Sequence, residues 1–133
     1  MTDVRKAHWE RVYRDNRLEA VSWHQASPTL SLELIAASGL GTDARVLDVG
    51  GGACRLVDAL PDRHLSPQGQ VIIAAFAPDG PDRCSNLPVV RYSAETLAET
   101  LGEKFRLFET RAERHRTPSG ASQSFLYHRF CRR

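Results

Sequence analysis

The sequence predicts an α/β domain built from the order α α β α β α β β, with a parallel pair of strands and an antiparallel hairpin at its end. Three observations carry this. Residues 44–54, A-R-V-L-D-V-G-G-G-A-C, have the pattern of a buried strand running into a glycine turn and then a helix. Residues 71–76, V-I-I-A-A-F, are apolar on both faces, as suits a central parallel strand covered by helices on each side. The last third of the chain holds two strand-like segments joined at Thr117-Pro118-Ser119-Gly120. The 133 residues are enough for one domain, and an apolar content of 41% is enough for a core.

Residues 3–16 are expected to be helical: Asp3 stands at the cap position, and Trp9, Val12 and Tyr13 fall on one face. Residues 17–26 connect to a second helix, for which Ser27 is the expected cap and Pro28 the first-turn residue. Leu30, Leu34 and Ile35 form its apolar stripe, and Gly39 ends it. The strand at 45–49 and a helix over about 53–60 follow, with Leu56, Val57 and Leu60 inward and Pro61 as the stop. Residues 61–70 are a polar connection to strand 71–76, and 77–90 are a loop rich in Pro, Gly and Asp. Ser93 caps a helix that runs through Leu101 and closes at Gly102. Strands at 104–115 and 122–131 draw their apolar positions from Phe105, Leu107, Phe125, Tyr127 and Phe130.

Charge and cysteine content narrow the function classes. The net charge of +2 gives no overall argument for nucleic acid. Residues 1–100 carry 10 Lys/Arg against 13 Asp/Glu, and residues 101–133 carry 8 against 3. That basic third is either a set of solvent-facing strand residues or a surface for RNA or an acidic protein. No apolar run approaches the ~20 residues of a membrane span. Asp3, Arg5 and Lys6 are unlike a signal peptide, and three cysteines without metal spacing point to reduced thiols in a cytoplasm.

The glycine turn is where function is most legible. Gly50, Gly51 and Gly52 leave no side chain between a ligand and the backbone, and the turn opens on a helix amino terminus that attracts an anion or carboxylate. V-L-D-V-G-G-G-A-C resembles the first motif of the class I S-adenosylmethionine-dependent methyltransferases. The resemblance extends to H-W-E-R-V-Y (8–13) and V-S-W-H-Q (21–25), which are similar to the cofactor-covering segment of small bacterial members. G-Q-V-I-I-A-A-F (69–76) looks like the family's fifth strand, and the C-terminal helix and hairpin match its antiparallel ending. It implies a reduced Rossmann-like methyltransferase sheet of about four strands in a single domain, 1–133, whose first 40 residues form a helical lid over a core at 41–133. It implies S-adenosylmethionine as cofactor, held at its methionine portion and ribose by Asp48, Gly50 and Gly52.

The chain departs from that pattern immediately after V-D-A-L (57–60), where it passes to what resembles the fifth strand. The segment for strands two to four, about 75–90 residues at about 25–30 per strand–helix unit, has no counterpart. With it go the usual ribose-gripping acid and adenine contacts. Asp79, just past strand 71–76, is either a replacement for that acid or an ordinary residue of an A-P-D-G turn. Trp9, Tyr13 and Trp23 either stack on adenine and the sulfonium or pack as core. His24 reads as a surface residue and Cys54 as a small packing residue, the alternative being a three-cysteine thiol or metalloid site. No catalytic residue is assigned: transfer to a small thiol, halide or metalloid needs no strong base, and no residue stands out as the base an amine or hydroxyl would need.

Right-handed crossovers leave three arrangements for strand 71–76: the place of the second strand, its usual place with a displaced helix, or exchange between two chains. Each leaves strand edges or apolar surface open in a monomer, so a homodimer, strand- or domain-swapped, is expected. The functional expectation is a methyltransferase acting on a small molecule rather than nucleic acid. The alternatives are an inactive S-adenosylmethionine-binding module and an RNA-associated dimer.

Overall fold

The computed structural model describes residues 3–41 and 69–132. The expected strand 45–49, the glycine turn and the helix at 53–60 lie outside the described residues, as do Asp48, Gly50, Gly51, Gly52 and Cys54. Two helices come first, α1 (Asp3–Asp15) and α2 (Thr29–Ala37), with a single 3-10 turn at Leu18–Ala20 between them. After β1 (Gln70–Phe76) comes a short ribbon of β2 (Arg83–Cys84) and β3 (Leu87–Pro88), then α3 (Ala94–Leu101), β4 (Phe105–Arg116) and β5 (Ser122–Arg132).

The fold is mixed α/β, and its described sheet is three-stranded in the order β1-β5-β4. β5 is antiparallel to both neighbours, with Val71 opposite Phe130, Phe76 opposite Phe125, and Arg116 opposite Ser122. β1 and β4 therefore run in the same direction, and their carboxyl ends lie at one end of the sheet. The strand expected at 71–76 is present as β1, but its described partner is the antiparallel β5.

Side-chain alternation assigns the two faces. Ile72, Phe125 and Tyr127 share one face with Leu30 and Leu34 of α2, which form the principal apolar cluster. His128 and Phe130 point to the other face. There α3 packs along β4, buries Leu97 and brings Glu95 into the field of His128. Tyr127, His128, Arg129 and Phe130 are all buried, as a strand covered on both faces requires.

Local chemistry explains most element ends. Ser93 accepts from the Thr96 amide while Thr96 Oγ1 accepts from the Ser93 amide, the reciprocal cap that starts α3. The cap expected from Ser27 does not form. Pro28 occupies the cap position of α2 with no side-chain hydrogen bond, and the Ser27 hydroxyl instead meets the Thr29 hydroxyl at 3.4 Å. The loop expected over 77–90 contains the β2–β3 ribbon, whose turn places Ser85 and Asn86 at φ 48° and 65°. Two positive φ values suit a two-residue hairpin, and asparagine tolerates them better than most residues, but the flanking strands are too short to show periodicity. Gly80 closes a turn by donating to Ala77 O at 2.8 Å. A Cβ there would stand 2.7 Å from Ser124 O, so only glycine lets this turn lie against β5.

One irregularity organises the polar part of the sheet. The β4–β5 register shifts between Leu107 and Glu109, so Phe108 and Glu109 together oppose Arg129. Arg129 donates from Nε and Nη2 to Glu109 Oε2 at 3.1 and 2.9 Å, and from Nη1 to Gln70 Oε1 at 2.8 Å. Its guanidinium lies 4.2 Å from the centre of the Phe108 ring, which is itself 56% exposed. The Arg129 side chain is 6% exposed, so these contacts replace almost all of its water.

Arg129→Leu is therefore expected to cost about 3–5 kcal/mol in urea denaturation, because Glu109 is left as an uncompensated charge. The double variant Arg129→Leu, Glu109→Leu should recover much of that loss.

Candidate functional site

The carboxyl ends of β1 and β4 define one rim of the sheet, and the connector between α1 and α2 crosses it. Val21 is buried, and the His24 amide donates to Val21 O at 3.0 Å, which makes a turn with Trp23 near its apex. Ser22 O accepts from His115 Nε2 at 2.7 Å, next to the last residue of β4. The carbonyl can only accept, so the ring carries its proton on Nε2. The ribbon that follows β1 carries the half-buried thiol of Cys84. Burial pushes that thiol up, and hydrogen bonds from Ser85 and Ser22 oppose the shift. Two residues further on, Gln25 Nε2 donates to Glu113 Oε2 at 3.0 Å.

The three sequence-predicted aromatics come together on this connector. Trp23 meets Trp9 edge-on at 5.9 Å between ring centres and Tyr13 at 6.1 Å. Trp9 and Tyr13 are one helical turn apart on α1, so one indole contacts both. All three rings are half-buried. Beneath the connector, Phe76 and Phe125 stack at 4.6 Å, and His115 meets Phe125 edge-on at 6.0 Å.

Asp79 occupies the Ala77–Gly80 turn directly after β1, at the same rim, and is exposed. Its Oδ2 accepts from Ser124 Oγ at 3.4 Å. The turn role weighed for A-P-D-G is thus what its backbone adopts, and the carboxylate still faces solvent. His24 is half-buried, with the backbone contact already given.

Several polar residues that sequence reasoning passed over are central here. Arg111, Glu113 and His115 alternate along one face of β4 and each meets the N-terminal segment; Arg111 Nη2 lies 2.8 Å from Glu33 Oε2 of α2. Burial raises the Tyr127 hydroxyl well above the usual tyrosine range, the Glu113 carboxylate adds to it, and Ser31 and Gln25 oppose it. The phenol therefore stays protonated. The available signal was the charge alternation R-A-E-R-H at 111–115, which reads equally well as a solvated strand face.

His128 sits on the opposite face. Its Nδ1 pairs with Thr110 Oγ1 at 3.0 Å, and its buried Nε2 has no partner. Burial holds its pKa below the usual 6.5, against the attraction of Glu95.

Comparison of the chain with protein families, curated proteins and solved structures returns no match. Among the described residues, no helix is long and apolar enough to cross a membrane.

Because the folded state resists protonating His128, the unfolded chain binds that proton first, and stability falls as pH drops below about 6.5. Urea unfolding between pH 7 and pH 5 should show this decline, and His128→Asn should flatten it.

Proposed function

We propose that this chain is an S-adenosylmethionine-dependent methyltransferase of reduced Rossmann-like architecture, acting on a small-molecule acceptor. The observation that carries the reading is the sequence V-L-D-V-G-G-G at 46–52, whose pattern is that of a strand running into a glycine turn and which includes one acidic residue. The placement of the other predicted site residues supports it. The Trp9, Tyr13 and Trp23 layer and Asp79 are tied to one rim of the sheet, where the carboxyl ends of co-directional strands meet. Helix α3 followed by the β4–β5 hairpin has the order that the resemblance implies for the C-terminal part.

The chemistry of this described half fits the cofactor. Aromatic faces attract a sulfonium cation and stack on adenine, and an exposed carboxylate accepts from ribose hydroxyls. When bound, S-adenosylmethionine supplies a methyl group activated on a cationic sulfur. The aromatic layer would exclude water from the rim and orient the reacting group, and Asp79 would take the ribose in place of the missing acid. Asp48 and Gly50 to Gly52 would hold the methionine portion.

A small acceptor is favoured over nucleic acid because the basic third is partly neutralised within the fold: Arg111 pairs with Glu33 and Arg129 with Glu109. The working form would be a cytoplasmic homodimer, strand- or domain-swapped. Its motive is that β1 and β4 are each paired on one side only among the described residues.

Calorimetric titration with S-adenosylhomocysteine is expected to show one site per chain. Asp48→Ala should weaken binding at least tenfold and Asp79→Ala by a smaller factor. No heat of binding in the parent protein would overturn the reading, and binding without methyl transfer to any of a thiol, halide, metalloid and amine panel would reduce it to a binding module. Light scattering at micromolar concentration should give twice the 14.8 kDa chain mass, and a monomer would remove the dimer from the proposal.

A further inference from the structure

The aromatic layer is attached to the sheet by an unusual means. Trp23 holds Trp9 and Tyr13 of α1, yet the connector carrying it, residues 18–25, has Val21 as its buried apolar residue while Leu18 is largely exposed. What ties the connector down is polar: Ser22 O to His115 Nε2 at 2.7 Å and Gln25 Nε2 to Glu113 Oε2 at 3.0 Å. These two contacts span residues 22–25, and both partners lie on one face of the carboxyl half of β4. Trp23 and His24 are held between them. A segment with little apolar burial and two discrete hydrogen bonds opens locally at far lower cost than the sheet beneath it.

We propose that residues 18–25 form a strap latched to β4 by His115 and Glu113, and that these two act as positioning residues for the aromatic layer over the sheet rim. His115 is suited to this. It is buried, and its Nε2–H is directed at the Ser22 carbonyl, which can only accept. Glu113 is held as acceptor by the side-chain amide of Gln25. With the latch closed, Trp23 has a fixed place and α1 packs on it. With the latch open, Trp9, Tyr13 and Trp23 leave the rim together, because Trp23 is the ring on which the other two rest. The consequence for ligand rests on the proposed function, since it assumes that the rim takes S-adenosylmethionine; the latch itself does not.

The test uses the full chain, ligand-free first. His115→Phe keeps a ring beside Phe125 and removes the donor, and His115→Gln returns an N–H donor near the Nε2 position. Loss of one such bond is expected to raise amide exchange of residues 21–25 about tenfold and speed tryptic cleavage at Arg17, with the β4–β5 amides unchanged. His115→Gln should restore most of the protection. Gln25→Leu, which leaves the sheet untouched, should loosen the strap to a similar degree if His115→Phe fails to fold. Parent-like protection of residues 21–25 in both His115→Phe and Gln25→Leu overturns the latch. Equal loosening across β4 and β5 also overturns it, because His115 would then be supporting the sheet. S-adenosylhomocysteine titration of the same variants is the second arm. A rise in Kd that His115→Gln reverses supports the positioning role, and an unchanged Kd beside a loosened strap overturns that role. If the parent protein binds no S-adenosylhomocysteine, the proposed function fails while the exchange data still decide the latch.

Discussion

β5 is the middle strand of the described sheet, and Tyr127 to Phe130 are four consecutive residues shielded from water on both faces. Two of the four are a histidine and an arginine. A buried charge or imidazole costs several kcal/mol unless its polar atoms are met, so the rest of the structure is arranged around meeting them. The bulge at Phe108 places Glu109 opposite Arg129, Gln70 at the start of β1 takes a further guanidinium proton, and the Phe108 ring covers the planar face. Thr110 takes one nitrogen of His128. The helices then cover a strand whose guanidinium is fully met, while His128 Nε2 and Gln123 Oε1 are buried without partners among the described residues.

The same strand pair decides where ligand chemistry can occur. β5 runs antiparallel between β1 and β4, so those two strands end at one rim. The turn carrying Asp79, the β2–β3 ribbon with Cys84, and His115 near the end of β4 gather there from distant parts of the chain. The N-terminal connector reaches the rim through Ser22 and Gln25, and so the aromatic residues of α1 arrive with it. The apolar face of α2 secures the segment on one side, where Leu30 and Leu34 bury against Tyr127. The rim is thus assembled from a hydrophobic anchor and a set of discrete polar ties, an arrangement that gives position without the rigidity of a packed core.

Local rules recovered most of the described elements. The extents of α1, α3, β1, β4 and β5 and the end of α2 follow from helical periodicity, the Ser93 cap, Gly39 and Gly102 as terminators, and apolar alternation. They failed where an adjacent residue or a contact distant in sequence overrides a local preference. Ser27 is a good cap residue that does not cap, because Pro28 takes the cap position and the Ser27 hydroxyl meets Thr29 instead. The bulge at Phe108 leaves no local trace, since its reason is Arg129, twenty-one residues later in the chain. In the candidate site, Trp9, Tyr13 and Trp23 were legible as a group from their types and spacing. The row Arg111, Glu113 and His115 was not, because alternating charge on a strand reads the same whether it faces water or a docked segment.

By itself, then, the sequence determined the order and type of α1, α2, β1, α3, β4 and β5, the glycine-turn motif from which the proposed cofactor site is read, and the aromatic set, since each depends on residues a few positions apart. Only the tertiary structure decided that β5 lies antiparallel between β1 and β4, that Arg129 is buried and paired, and that the aromatics hang on a strap tied to His115 and Glu113. These depend on partners twenty to ninety-odd residues apart, whose meeting is set by strand pairing and face burial rather than by local preference.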